Sequence, residues 1–185
     1  MVSTSPTFPD DFNLADYFLF ERLNEGLGDK VALLFGDRRE TYAEVAAHVR
    51  ALRAFFADRQ VRREERVLIV LHDTPAFAWA FFATLHHGAV VTMGNPEVPA
   101  QDLAYLVEYT RATVVITNPR AAASILPTLA AADLRALILV PEVATGEDVE
   151  AALSIAPELT PLAPTTLREA LAQGRKGHAP PPLPT

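Results

Sequence analysis

The sequence predicts an α/β fold: a mostly parallel sheet with helices on both faces, and an antiparallel hairpin near the N-terminus. Three observations carry this. After residue 66 the apolar pattern runs strand, helix, strand, helix, strand, helix, strand, the alternation that builds parallel sheets through crossover helices. The strand-like runs Val67–Leu71, Ala89–Met93, Thr113–Thr117 and Ala136–Val140 are almost purely apolar or β-branched, as suits strands covered on both faces. Ahead of them, Val31–Phe35, the turn pair Gly36-Asp37 and Arg38–Thr41 read as a hairpin placed at one edge of the sheet.

In chain order, residues 1–11 are polar and proline-bearing and are expected to form a mobile tail. Phe12–Leu27 carries apolar residues mostly at helical spacing, with Asn13 as cap and Gly26 and Gly28 as stops. After the hairpin, Thr41 and Glu44 form a capping-box pair. It opens a helix whose stripe is Tyr42, Val45, Val49, Leu52 and Phe56. The central unit, residues 66–96, reads as strand, helix, strand. Asp73 and Thr74 are candidate caps for its helix, Pro75 fits the first turn, and Gly88 fits the position just past the end. Pro99 opens a helix with Leu103, Leu106 and Val107 facing inward. Asn118-Pro119 caps and starts another, which Pro127 must kink or split. Thr145 is a candidate cap for a short helix at Glu147–Ile155. Thr166 and Glu169 form a second capping box, whose helix Gly174 is expected to stop. Residues 12–174 thus read as one subdomain. From Arg175 onward, with four prolines in the last six residues, the chain reads as an extended linker toward something further on.

With 185 residues, half of them hydrophobic and 21% charged, the chain has enough material for a real core. A net charge of −7 and a pI near 5.2 argue against nucleic acid or an anionic membrane as partner. No cysteine is present, which removes disulfides, thiolate catalysis and Cys-based zinc sites. The first twelve residues have no basic or apolar region of a secretory signal. The longest apolar run, Pro75–Leu85, is far short of the ~20 residues that cross a bilayer. A cytoplasmic protein is the default expectation.

A search for chemistry mostly excludes it. No G-x-G-x-x-G, G-x-x-x-x-G-K-[ST] or G-x-S-x-G occurs, and the glycines are scattered. His72-Asp73-Thr74-Pro75 follows the first core strand without a glycine, so a pyrophosphate could not approach that backbone closely. His86 and His87 are adjacent and would point about 100° apart on a helix, a poor chelate; no metal site and no catalytic residue is assigned. His72 and Asp73 lie at a strand's carboxyl end, where either a cap or a ligand contact would fit. Phe77, Trp79, Phe81 and Phe82 read as a helix buried nearly all round, rather than as an aromatic ligand pocket. Arg38, Arg39, Arg62 and Arg63 are interleaved with acids and read as a solvated face. Asn95 and Glu97, flanking Pro96 in the second carboxyl-end loop, read as a turn with ligand contact as the functional alternative.

Two segments carry a family resemblance. FNLADYFLFERLNEGLGDKVALLFGDRRETYAEV resembles the opening of benzoate-type CoA ligases, with its FN-x-A-DY start, G-x-GDK and TYAE. RVLIVLHDTPAFAWAFFATLHHGAVVTMGNPEVPAQDLAYLVEYTRATVVIT resembles the strand–helix–strand unit and NP turn of the adenylate-forming acyl- and aryl-CoA synthetases. Together they cover about residues 12–117, and the likeness is strongest to benzoate- and aminobenzoate-CoA ligases. The resemblance implies the N-terminal subdomain of an enzyme that uses ATP and Mg2+ to convert an aryl carboxylate into an acyl-adenylate, then transfers it to CoA. It implies that the phosphate-binding loop with its lysine, the aryl pocket and the C-terminal domain follow a stretch like Arg175–Thr185. The remainder of the adenylation domain and the C-terminal domain are therefore the expected partners, in the same or a companion chain, and a homodimer is compatible with the reading. Some aryl-CoA ligases carry an arginine directly after the NP turn, on the CoA side; here that position is Glu97, whose charge repels a phosphate. Asn95 and Glu97 are accordingly the only cofactor-side candidates, and the chain alone is expected to be inactive. The alternatives are an adenylation module that loads a carrier protein, and a stand-alone interaction or regulatory domain.

Overall fold

The computed structural model describes residues 12–141 and 156–176. Asn13 caps the first helical segment: its Oδ1 accepts from the Ala15 and Asp16 amides, and its Nδ2 donates to the Leu85 carbonyl at 2.9 Å. The segment passes through a π-turn at Asp16–Phe20 into α1, Glu21–Asn24, and Gly26 reverses the chain at φ +78°. Strands β1, Val31–Phe35, and β2, Arg38–Thr41, pair antiparallel around Gly36-Asp37. They form a separate two-stranded sheet, rather than an edge of the main one.

Helix α2, Tyr42–Asp58, starts on the expected capping box: the Glu44 amide donates to Thr41 Oγ1, and Glu44 Oε2 accepts from the Thr41 amide at 2.8 Å. The predicted stripe is buried at Val45, Val49, Leu52 and Phe56, but Ala46, Ala51, Ala54 and Phe55 are buried as well. The stripe is wider than the periodicity suggested because α2 packs against two further helices, Pro75–His87 and Leu167–Lys176.

The main sheet comprises β3 (Arg66–Val70), β4 (Val90–Gly94), β5 (Val114–Thr117), β6 (Ala136–Leu139) and the two-residue β7 (Thr165–Thr166), all parallel in the order β4-β3-β5-β6-β7. Helices α3 (Pro75–His87), α4 (Ala100–Thr110), α5 (Pro119–Ser124) and α6 (Leu126–Ala131) connect them, a 3-10 turn at Pro157–Leu162 precedes β7, and α7 (Leu167–Lys176) follows it. Side chains alternate across the strands and feed two cores. Val67, Ile69, Val114, Ile116 and Ile138 face α2, α3 and α7; Leu68, Val70, Val115, Leu137 and Leu139 face α4, α5, α6 and the 3-10 turn. Helices cover both faces, as expected.

Several local readings hold and some are corrected. Pro75 starts α3, and Gly88 ends it at φ +79°. Asp73 and Thr74 do not cap α3 through their side chains; Thr74 occupies the cap position with no side-chain hydrogen bond, and its carbonyl accepts from the Phe77 amide instead. Asn118 Oδ1 accepts from the Ala121 amide at 2.7 Å, and the helix breaks at Ile125 so that Pro127 opens α6. The Thr166–Glu169 capping box forms and opens α7. Gly174 does not stop that helix. It lies inside it, where an added Cβ would come within 1.8 Å of the Ala51 carbonyl oxygen, so the glycine serves the close packing of α7 on α2. Arg175 and Lys176 therefore belong to α7 rather than to a linker. The helix expected at Glu147–Ile155, the N-terminal tail and the rest of the proline-rich end lie outside the described residues.

Candidate functional site

In a parallel sheet whose strand order reverses, the carboxyl-end loops on either side of the first strand diverge and leave a crevice. Here β3 is that first strand. The register pairs Val70 with Gly94, so the loop after β3 and the loop after β4 leave the sheet side by side. Gly94 gives α4 a close seat at this end of the sheet: a Cβ there would fall 2.9 Å from Leu106 Cδ1 of α4 and 3.4 Å from Val70 Cγ2. The loops enclose an open pocket of about 400 Å3 with Leu71, Phe77 and Met93 as apolar walls and His72, Asp73 and Asn95 as polar rim, within the size of small-molecule sites.

Asn95 makes the turn itself. Its Oδ1 accepts from the Glu97 amide at 2.9 Å, and its carbonyl accepts from the Val98 amide. Glu97 then reaches back across the pocket mouth, its Oε1 3.1 Å from His72 Nε2. The structure thus joins His72 to Glu97 and brings Asp73 and Asn95 to the same pocket. Both partners of the His72–Glu97 contact are exposed, so it fixes loop geometry more than it stabilises the fold. The rim holds two carboxylates, Asp73 and Glu97, and one imidazole. Such a rim cannot hold a phosphate by charge, and no glycine-rich loop supplies amides for one. Among the described residues no group of three or more His, Asp or Glu side chains could hold a metal ion. The residues of this pocket therefore do not fit the phosphates of ATP or CoA, or Mg2+.

The remaining singled-out residues are structural. His87 is buried and its Nε2 donates to the Val61 carbonyl at 2.8 Å; burial lowers its pKa. His86 stacks near Phe20, ring centroids 4.2 Å apart, and burial followed by Arg53, Arg50 and His87 pushes its pKa down to about 4. Trp79 is buried, whereas Phe77, Phe81 and Phe82 are only half-buried against the first core. Arg39, Arg62 and Arg63 lie on the exposed surface as expected. Arg38 is exposed with them, and its guanidinium pairs at 3.1 Å with Glu40, a carboxylate that is itself only 5% exposed. Glu40 Oε2 also accepts from the Trp79 indole N–H at 2.9 Å, and His48 stacks flat on Trp79 at 3.9 Å. This Arg38–Glu40–Trp79–His48 stack ties the hairpin to the core. Sequence reasoning missed it, since Glu40 in Arg38–Thr41 carries no local sign of burial beyond its alternation with Arg39.

A doubly wound α/β domain with an acidic pocket at the carboxyl ends of its strands is the class that the fold and site define. Residues 20–179 match the family described as AMP-binding enzyme, and the chain belongs to that family. It is an adenylation-type domain related to the benzoate-CoA ligases. It is similar to the 4-hydroxybenzoate–CoA/benzoate–CoA ligase of Rhodopseudomonas palustris, with 32% identity over 67% of this chain and 23% of that protein. It is likewise similar to a linear gramicidin synthase of Brevibacillus parabrevis, with 30% identity over 62% of this chain and 2% of that protein. Among solved structures, a benzoate CoA ligase from Burkholderia xenovorans superposes with a TM-score of 0.72 at 27% identity, covering 94% of this chain and 30% of the other. The chain thus spans less than a third of the length of each of these proteins. No helix among the described residues is long and apolar enough to cross a membrane.

Proposed function

We propose that this chain, over residues 12–174, is the N-terminal subdomain of an ATP-dependent aryl-CoA ligase that activates a benzoate-like or aminobenzoate carboxylate. The observation that carries the reading is the superposition of 94% of the chain on a benzoate CoA ligase at 27% identity, together with 32% identity to a hydroxybenzoate/benzoate ligase. In that reaction a carboxylate oxygen attacks the α-phosphorus of ATP and pyrophosphate leaves. The CoA thiolate then attacks the acyl carbon and AMP leaves. This chain supplies scaffold to it: a sheet buried on both faces and a loop pair at its carboxyl edge. The phosphate loop, aryl pocket and catalytic lysine belong to the rest of the protein. The chain alone releases no AMP.

Asn95 and Glu97 are the residues of this chain we assign to the CoA side. The Glu97 carboxylate repels phosphate there, so its charge works against CoA binding. In the complete protein, Glu97→Gln lowers the KM for CoA about two- to fivefold with kcat unchanged, the scale of one screened charge contact. An unchanged or raised KM would remove Glu97 from the site. The broader reading is tested by AMP release from the complete protein with ATP, CoA and benzoate, 2-aminobenzoate or 4-hydroxybenzoate. Absence of AMP release with every aryl acid would overturn it. A second reading, loading of a carrier protein, draws on the similarity to a linear gramicidin synthase. It predicts acyl transfer to a phosphopantetheinyl carrier and none to free CoA.

A further inference from the structure

A second cavity lies at the opposite end of the sheet from the loop pocket. Helix α3 runs from the carboxyl end of β3 back to the start of β4, so its last residues, His86 and His87, mark the amino-end side. There, the π-turn of residues 16–20, α2, the end of α3 and α7 enclose a groove of about 650 Å3. Its space comes from small residues: the α2 wall is Ala47, Ala51 and Ala54, and Gly174 brings α7 against the Ala51 carbonyl. That close approach sets Arg175, the next residue, at the rim.

Arg50, Arg53 and Arg175 all line this groove, together with the carboxylate of Asp16. Three cations and one anion at one spot contrast with a chain whose net charge is −7. Arg50 is held in place by its guanidinium lying over the Phe20 ring, 4.9 Å from the centroid. Asp16 serves two of these groups: its Oδ1 lies 3.5 Å from His86 Nε2, and it interacts electrostatically with Arg53, so the excess positive charge of the groove rests on Arg50 and Arg175. His86 adds no positive charge at neutral pH, because burial and the nearby arginines hold its pKa at about 4. Guanidinium forks pair in a bidentate manner with phosphate oxygens, and a groove of this volume takes a ligand with several of them.

We propose that the Arg50–Arg53–Arg175 groove is an anion-binding site for a phosphate group, carried either by a free oligophosphate or by a nucleotide. The site is remote from the carboxyl-edge pocket and independent of the ligase reading.

The test is isothermal titration calorimetry of the 185-residue chain with pyrophosphate, AMP and acetate at low salt. Pyrophosphate or AMP is expected to bind saturably at one site and acetate not to bind. Arg175→Ala and Arg50→Gln are each expected to weaken binding about fivefold or more, the effect of removing one charge-assisted contact. Asp16→Asn is expected to tighten it about twofold or more by removing a repelling carboxylate, a gain that misfolding cannot imitate. Arg120→Ala, on the opposite face of the sheet, leaves it unchanged. Tighter binding of AMP than of pyrophosphate identifies a nucleotide, and the reverse a free oligophosphate; either supports the site. Absence of saturable binding, equal binding of acetate, or equal weakening by Arg120→Ala and Arg175→Ala overturns it.

Discussion

At the scale of single residues, the buried Glu40 carboxylate is the most consequential group. It accepts from Trp79 and pairs with Arg38 while almost fully buried. Glu40→Ala leaves the indole N–H unpaired inside the core and is expected to destabilise by about 1–3 kcal/mol, read as a lowered urea midpoint with an unchanged m-value. Trp79→Phe removes donor and partner geometry together and should lose the His48 stacking as well. The histidines set a pH dependence. His48, His86 and His87 all have pKa values lowered by burial first, His86 to about 4. The unfolded chain, with histidines near 6.5, binds more protons than the native state between those values. Stability is therefore fully present above about pH 6.5 and falls as the pH drops toward the folded values. Two carboxylates behave differently. Burial works to raise the Glu65 pKa, but hydrogen bonds from the Arg62 amide and the Arg135 guanidinium hold it below the usual value, so its contribution is lost only at lower pH. Asp16 is raised by burial and opposes the trend weakly in acid. Urea midpoints at about pH 7.5 and 5.5, on either side of the free histidine value, thus isolate the histidines: a lower midpoint in the more acid buffer is expected, with a smaller difference in His86→Gln.

At the scale of elements, the contact between α2 and α7 is the most exacting in the molecule. Gly174 faces the Ala51 backbone, where a Cβ would stand 1.8 Å from the carbonyl oxygen and 2.7 Å from the carbonyl carbon. Backbone cannot move aside as a flexible side chain can. Gly174→Ala is expected to cost about 2–3 kcal/mol or more even though alanine favours a helix. Thermal unfolding followed by circular dichroism checks this; a variant as stable as the parent would show that α7 is free to shift. A similar contrast holds at the other end of the chain. The hairpin has the turn and the alternation of a sheet edge, yet β1 and β2 pair only with each other. Its attachment to the core runs through Glu40 and through the Lys30 and Gly28 carbonyls, which accept from the Tyr42 and Ala43 amides.

At the scale of the whole molecule, the described residues form five parallel strands with helices on both faces, with a loop pocket at the carboxyl end of the sheet and a helix-lined groove toward the other. One end carries acids around a 400 Å3 pocket; the other carries arginines around a 650 Å3 groove. That polarity separates an expected substrate side from a proposed phosphate site. The corresponding prediction is that the purified 185-residue chain, folded by circular dichroism, gives no ATP- and benzoate-dependent AMP release. Its appearance would place the catalytic groups within this chain and overturn the division of labour proposed above.

Local chemistry made much of this legible from the residues alone. The capping boxes Thr41–Glu44 and Thr166–Glu169, the Asn118 cap, the break before Pro127 and the left-handed Gly88 all depend on neighbours within four positions. The strands showed themselves because burial on both faces demands unbroken apolar runs. Asn95 was readable as a turn residue for the same local reason. What stayed hidden depends on partners far along the chain. Glu40 reaches across 39 positions to Trp79, and nothing in its neighbours marks it as buried. Gly174 looks like a helix stop until Ala51, distant in sequence, is set against it. The sequence by itself determined the class of fold, most element boundaries and the family resemblance, because periodicity, caps and turns are short-range. Only the tertiary structure decided the strand order, the separate hairpin, the His72–Glu97 closure of the carboxyl-edge pocket and the meeting of three arginines in one groove, because each needs segments brought together by packing rather than by spacing.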